Sequence, residues 1–224
     1  MQGTDLPTSV DRTTRALLIC GLVAGPLFTL SWLVQGPLRT DYDPMAHAIS
    51  SLSAGEGGWV QIATFVITGA LTLVFAVGLW RKLRPARALW GPLLIGLLGV
   101  GLIGAGIFVS DPLAGYPPGT PLIPTERTAH GILHDLFGIP FFLGLPISCV
   151  IFWRYFRRWG ERGWAIYSLL TGIGMFAAFF VARLSLRPGF EAMAGTFGVF
   201  QRVTVTLGWA WLTLLALHML RSGR

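Results

Sequence analysis

The chain has 224 residues, 53% of them hydrophobic and 12% charged, with a mean hydropathy of +0.64. These values exclude an ordinary water-soluble domain. The net charge of +7 and pI near 10.4 go with no basic stripe interleaved with aromatics, so membrane lipids with anionic headgroups are the expected partners and nucleic acid is not.

Six apolar stretches follow one another at 16–34, 59–80, 88–109, 131–153, 164–182 and 197–217. At about 1.5 Å per residue each crosses roughly 30 Å of hydrocarbon. The expected fold class is all-α: a polytopic membrane helix bundle with six transmembrane helices and a short extracytoplasmic interfacial helix. Residues 1–15 form a cytoplasmic N-terminal segment, 16–217 the transmembrane domain and 218–224 a cytoplasmic tail. The first run is long and lacks a small-x-small cleavage site, so it reads as a retained signal anchor.

Orientation follows from the basic residues. Arg12, Arg15, Arg81, Lys82, Arg84, Arg87, Arg154, Arg157, Arg158, Arg162, Arg221 and Arg224 fall at one end of the predicted bundle, and Arg39, Arg127, Arg183 and Arg187 at the other. The positive-inside rule then puts both termini in the cytoplasm. One Lys among 17 basic residues points to a GC-rich bacterial genome, and hence to a bacterial inner membrane. Cys20 and Cys149 lie near the basic, reducing side and read as buried free thiols.

Within the spans, Gly101 with Ala105 and Gly174 with Ala178 are small-x-x-x-small pairs that permit close helix approach. Pro26, Pro92, Pro140 and Pro146 are expected to kink or open their helices. Spans one to three do not repeat in spans four to six, so an inverted-repeat transporter gains no support.

Polar residues gather on the predicted outer side. In 43–55, Asp43 reads as an N-cap, Pro44 as the first helical residue and Gly55 as the stop. At about 100° per residue, Met45, Ala48, Ile49 and Leu52 share one face of that helix, and His47, Ser50 and Ser51 the other. The stretch 108–124 carries five prolines and two glycines, which makes a rigid extended loop suited to a wall or lid. Asp111 in it reads either as a cap or as a group projecting into a site. In 128–135, His130 and His134 stand at i and i+4, the spacing that lets two imidazoles share a metal, although hydrogen-bonded structural histidines fit the same spacing. Asp135 points about 100° away. Gln201 and Arg202 enter the sixth span, with Arg183, Arg187 and Glu191 on the preceding loop. An arginine inside a span is costly, so Arg202 is expected to snorkel outward or to pair with Asp111 or Asp135.

The run Ile49-Ser-Ser-Leu-Ser, then Gly58-Trp-Val-Gln and Phe65-Val-Ile-Thr-Gly, Phe108-Val-Ser-Asp-Pro with Gly115-Tyr-Pro-Pro-Gly-Thr-Pro, His130-Gly-Ile-Leu-His-Asp and Gln201-Arg resembles the bacterial membrane family called domain of unknown function 998. The resemblance covers nearly the whole chain and implies a six-helix bacterial inner-membrane protein, with no activity, substrate or cofactor attached. A distant analogy joins it to the alkaline ceramidase and progestin/adiponectin receptor type of membrane hydrolase, which holds zinc with Ser, Asp and His. The analogy rests on ingredients alone, because helix count, spacing and membrane side differ.

Three functional classes follow. A zinc hydrolase of lipid amides or esters would hold the metal with His130, His134, His47 and Asp111, with His47, Ser50, Ser51 and Asp135 as catalytic candidates. A transporter or binding protein would use Asp111, Gln201 and Arg202 for a lipid headgroup or small polar ligand. A structural or assembly protein would use the same residues only to hold its loops together. The orientation is checked by cysteine labelling: a cysteine at Thr120 reacts with an impermeant thiol reagent from outside and one at Ala86 does not, whereas the reverse pattern inverts the topology.

Overall fold

A computed structural model describes residues 11–122, 126–187 and 189–222, with the side chains of 191 and 194 left aside. Pro124 at the end of the proline-rich loop, the side chain of Glu191, and Arg224 lie outside the described residues. Among the described residues, seven α-helical segments build six spans long and apolar enough to cross a membrane. They are α1 (Arg12–Gln35), α2 (Trp59–Leu83), α3 (Trp90–Ile107), α4 (Ala129–Ile139), α5 (Leu145–Arg158), α6 (Arg162–Leu184) and α7 (Phe197–Arg221). The fourth span is α4 and α5 joined by a π-helical turn at Pro140–Gly144.

Local chemistry accounts for the boundaries. Asp11 caps α1 by accepting the Thr14 N–H at 3.0 Å and its hydroxyl at 2.6 Å. Thr128 caps α4 through the Gly131 N–H at 3.0 Å. Pro92 falls in the first turn of α3, where its missing donor costs no helical bond. Pro140 and Pro146 stand inside the fourth span, where each deletes one bond of the ladder, and the π turn lies between them.

The spans form a ring in which α1 packs on α2, α2 on α3, α3 on α4 and α5, α5 on α6, α6 on α7, and α7 back on α1. Its arginine-rich half is filled by Phe75, Phe152, Phe156, Trp211 and Leu215, all under 2% exposed. Outward faces are apolar, as on α6, where Ile166, Leu170, Ile173, Phe176 and Phe180 recur at helical spacing and are all more than half exposed. That surface suits hydrocarbon and marks a multi-pass membrane protein in contact with lipid. Where α1 meets α2, Gln35 donates to Gln61 at 2.9 Å and to the Ser31 hydroxyl at 2.8 Å, and Ser31 bonds Thr64, a polar seam of the kind that joins helices in lipid.

Small residues set the close contacts. Gly101 meets the Phe137 backbone and Gly174 meets Leu207, while the carbonyl of Ala105 serves as a hydrogen-bond acceptor. A Cβ on Gly104 would lie 2.2 Å from the Phe137 ring, which cannot swing freely because it stacks on Phe108 at 5.6 Å. Gly104→Ala is therefore expected to cost about 1–3 kcal/mol, the usual penalty of overpacking. Gly96→Ala, whose Cβ would have only an ordinary 3.6 Å contact, is the control expected to be near neutral. Thermal melts in one detergent compare the two.

Candidate functional site

The half of the ring opposite the arginine-rich end is hollow. A cavity of about 600 Å³ lies there, walled by Phe28, Phe65, Phe141, Phe142, Phe179 and Val205, with Ser50, Asp111, His134, Asp135 and Gln201 among its lining. It arises from the break in the fourth span. Above the π turn α4 leans on α3, and the span packs against α6 from the turn onward. Leu136, Ile139 and Leu143 line the cavity and are also exposed on the flank of the bundle, so the hollow borders the lipid-facing surface between α4 and α6. Arg127, Arg183 and Arg187 stand around its polar rim.

Asp111 takes the capping role. Its carboxylate accepts the Thr128 N–H at 3.1 Å and the Thr128 hydroxyl at 2.5 Å, which anchors the N-terminus of α4 to the chain leaving α3. Gly131 makes room for it, since a Cβ there would lie 2.0 Å from Asp111 Oδ2. Arg127 bridges the two acids, with Nε 3.3 Å from Asp111 and Nη2 2.6 Å from Asp135. The Asp135 pair is solvent-exposed and contributes little stability, whereas the Asp111 side chain is only 8% exposed. Burial acts to raise the Asp111 pKa, but the hydrogen bonds from Thr128 and Arg127 outweigh it and hold the carboxyl below the usual range.

The histidines do not meet. His134 is buried and turns inward, its Nδ1 lying 3.0 Å from the Ala105 carbonyl and 2.8 Å from that of Phe108. His130, one turn earlier, is exposed and rests edge-on against Phe108. His47 accepts the Asp43 N–H on Nδ1 at 2.9 Å, bonds the Ala114 backbone, and packs against Tyr42 and Tyr116. Burial lowers its pKa; the charge of Asp43 opposes this and that of Arg202 adds to it. Among the described residues no three His, Cys, Asp or Glu side chains are grouped to hold a metal. The expected zinc set of His47, His130, His134 and Asp111 is thus not assembled, because His47 and Asp111 spend their ligand atoms on the backbone and on Thr128. Ser50 lines the cavity and Ser51 is buried, and neither bonds a histidine among the described residues.

The segment 43–55 departs from its expected form. Only Ser50–Ser53 is helical, as one 3-10 turn, and both predicted faces are largely buried, with Met45 left out at 57% exposure. In a continuous helix the Ile49 N–H would bond the Met45 carbonyl. Instead Ile49 N–H donates to Gln201 Oε1 at 2.8 Å, and the Met45 carbonyl accepts Val199 N–H at 3.0 Å. One helical bond is thereby exchanged for two bonds to the first turns of α7. Gly198 permits this approach, since a Cβ there would sit 2.6 Å from the carbonyls of Pro44 and His47.

Arg202 pairs with neither Asp111 nor Asp135. Its Nη1 donates to the carbonyls of His47 at 2.8 Å and Gly198 at 3.1 Å, its Nη2 donates to the Tyr42 hydroxyl, and the guanidinium lies over the rings of Trp32 and Tyr42. Its role is to bind the 42–48 segment to α7. The proline-rich loop likewise covers the end of the bundle by docking Tyr116 on Tyr42 and His47, while Ser110, Asp111 and Leu113 reach the cavity wall. Residues 115–121 of the stretch expected as a wall or lid do not line the cavity.

A family model described as "Protein of unknown function (DUF998)" matches residues 22–218. The chain belongs to the DUF998 family. No curated protein and no solved structure matches it. The DUF998 match runs from within α1 into the last turn of α7 and so contains every residue of the cavity. Sequence reasoning missed Arg127, Tyr42 and Tyr116 in this DUF998 chain. Arg127 had one readable signal, its place directly before the Thr128 cap and eight residues before Asp135.

A carboxyl whose folded pKa is depressed stabilises the fold above its unfolded pKa and loses that contribution as pH falls through the folded value. Asp111→Asn is therefore expected to lower the melting temperature at neutral pH. The gap from the unsubstituted chain should close as pH drops below the ordinary carboxylate range. A gap independent of pH would remove the charge from the explanation.

Proposed function

We propose that this chain is a bacterial inner-membrane protein with both termini cytoplasmic, which binds a lipid-like amphiphile in a cavity at the extracytoplasmic end of the bundle. The observation that carries the reading is the union of an aromatic-walled hollow of about 600 Å³, bordered by the lipid-facing residues Leu136, Ile139 and Leu143, with a rim bearing Arg127, Arg183 and Arg187. Ligand sites are typically apolar hollows of about 300–1,000 Å³ with a few placed polar groups. Arg183 and Arg187 form no ion pair with a described residue, so the rim suits an anionic or strongly polar headgroup with its chain lying along the phenylalanines. The placement at the extracytoplasmic end is supported by the crowding of arginine at the other end.

Native mass spectrometry of protein purified in mild detergent tests the reading. The unsubstituted chain is expected to retain one lipid. Gly138→Phe is expected to lose it while staying folded, because position 138 lines the cavity and a Cβ there meets nothing nearer than 3.8 Å. If lipid is absent, or retained equally by both, the hollow is a packing feature and the structural or assembly reading stands.

A further inference from the structure

Two polar side chains in the cavity are oriented by backbone groups and by no ligand of their own. His134 Nδ1 faces the carbonyls of Ala105 and Phe108, at 3.0 and 2.8 Å. Carbonyl oxygens only accept, so Nδ1 carries the proton, and in that tautomer Nε2 is the acceptor. Gln201 Oε1 receives the Ile49 N–H at 2.8 Å. A backbone N–H only donates, so this bond fixes the amide and leaves its NH₂ group as a donor. Each side chain is 8% exposed, both line the cavity, and neither remaining nitrogen is hydrogen-bonded to a described residue or sealed away from it. The hollow thus holds one fixed acceptor and one fixed donor amid phenylalanine and leucine.

This complement narrows the ligand. The acceptor calls for a hydrogen-bond donor. An ammonium group would lie beside a rim of three arginines and lose its hydration, and a phosphodiester or carboxylate anion has no proton to give to Nε2. A hydroxyl meets the requirement without charge. We propose that the amphiphile bound here carries a free hydroxyl that donates to His134 Nε2, and an oxygen that accepts from the Gln201 amide, so that the cavity prefers hydroxylated glyceride-type lipids to their fully alkylated counterparts. The inference rests on the lipid-binding reading of the same cavity.

The probes are 1-oleoylglycerol and the analogue with both free hydroxyls methylated, titrated into detergent-solubilised full-length protein. Wild type is expected to bind the glyceride about tenfold more tightly, the effect of one neutral hydrogen bond. His134→Asn keeps a donor for the two carbonyls but has no counterpart of Nε2, and should bind both probes alike. Nitrogen-15 spectra of histidine-labelled wild type give an independent measure that needs no variant: the His134 Nε2 resonance should move with the glyceride and not with the ether. Equal binding of the two probes, an unmoved resonance, or a preference that survives in His134→Asn each overturns the hydroxyl assignment while leaving lipid binding in place. Binding of neither probe by wild type, together with no lipid retained on purification, overturns both readings.

Discussion

Inside hydrocarbon every backbone N–H and C=O needs an internal partner; α1 gives up one ladder bond at Pro26, and the fourth span, with two internal prolines and a π turn, departs furthest from an unbroken ladder. Pro140 and Pro146 each lack the N–H that would close a bond to the residue four positions before, and the chain between them widens into the π turn. Because of that break the span can serve two neighbours. Its upper half follows α3, drawn in by the Phe137 contacts at Gly101 and Gly104, and its lower half packs on both α3 and α6. The hollow is what remains between the two directions, and the Asp111–Thr128 anchor holds its upper edge in place.

The second organising contact is the docking of 42–54 on the start of α7. A helix N-terminus leaves its first four N–H groups without helical partners, and the Val199 N–H finds one in the Met45 carbonyl. Gln201 and Arg202 then continue the same function one turn deeper, each gripping backbone of the docked segment. Arg202 stands among carbonyls, a phenol hydroxyl and two aromatic faces, with no ion pair to a described residue. A guanidinium spreads its charge over a plane and presents several donors, which lets neutral acceptors suffice where an ammonium would be poorly served.

What could be read in advance follows from the range of the forces involved. Hydropathy and loop charge act along the chain, so the six spans and the concentration of arginine at one end of the bundle were legible, as was the role of Gly101 and of the two prolines in the fourth span. The short helix over 43–55 was not, because its local signals at Asp43, Pro44 and Gly55 are genuine but Gln201 and Val199, some 150 residues away in sequence, compete for the same backbone groups. The Arg202–Asp pairing failed for a related reason: counting charges near one end of the bundle says nothing of carbonyls, and Arg127 was closer to both acids. Helical spacing placed His130 and His134 on one side of α4, yet a single turn of helix separates an exposed imidazole from a buried one where the neighbouring helix ends at Ile107.

The border of the hollow with the bundle's flank, at Leu136, Ile139 and Leu143, has a kinetic meaning. A molecule arriving through that side never leaves the bilayer, so its encounter rate is set by two-dimensional diffusion and its occupancy by mole fraction in one leaflet. Aqueous solubility, which limits most small ligands, drops out of the balance. For the proposed ligand the composition of the surrounding leaflet would act as the reservoir, and a change in that composition would alter the filling of the hollow with no change in the protein.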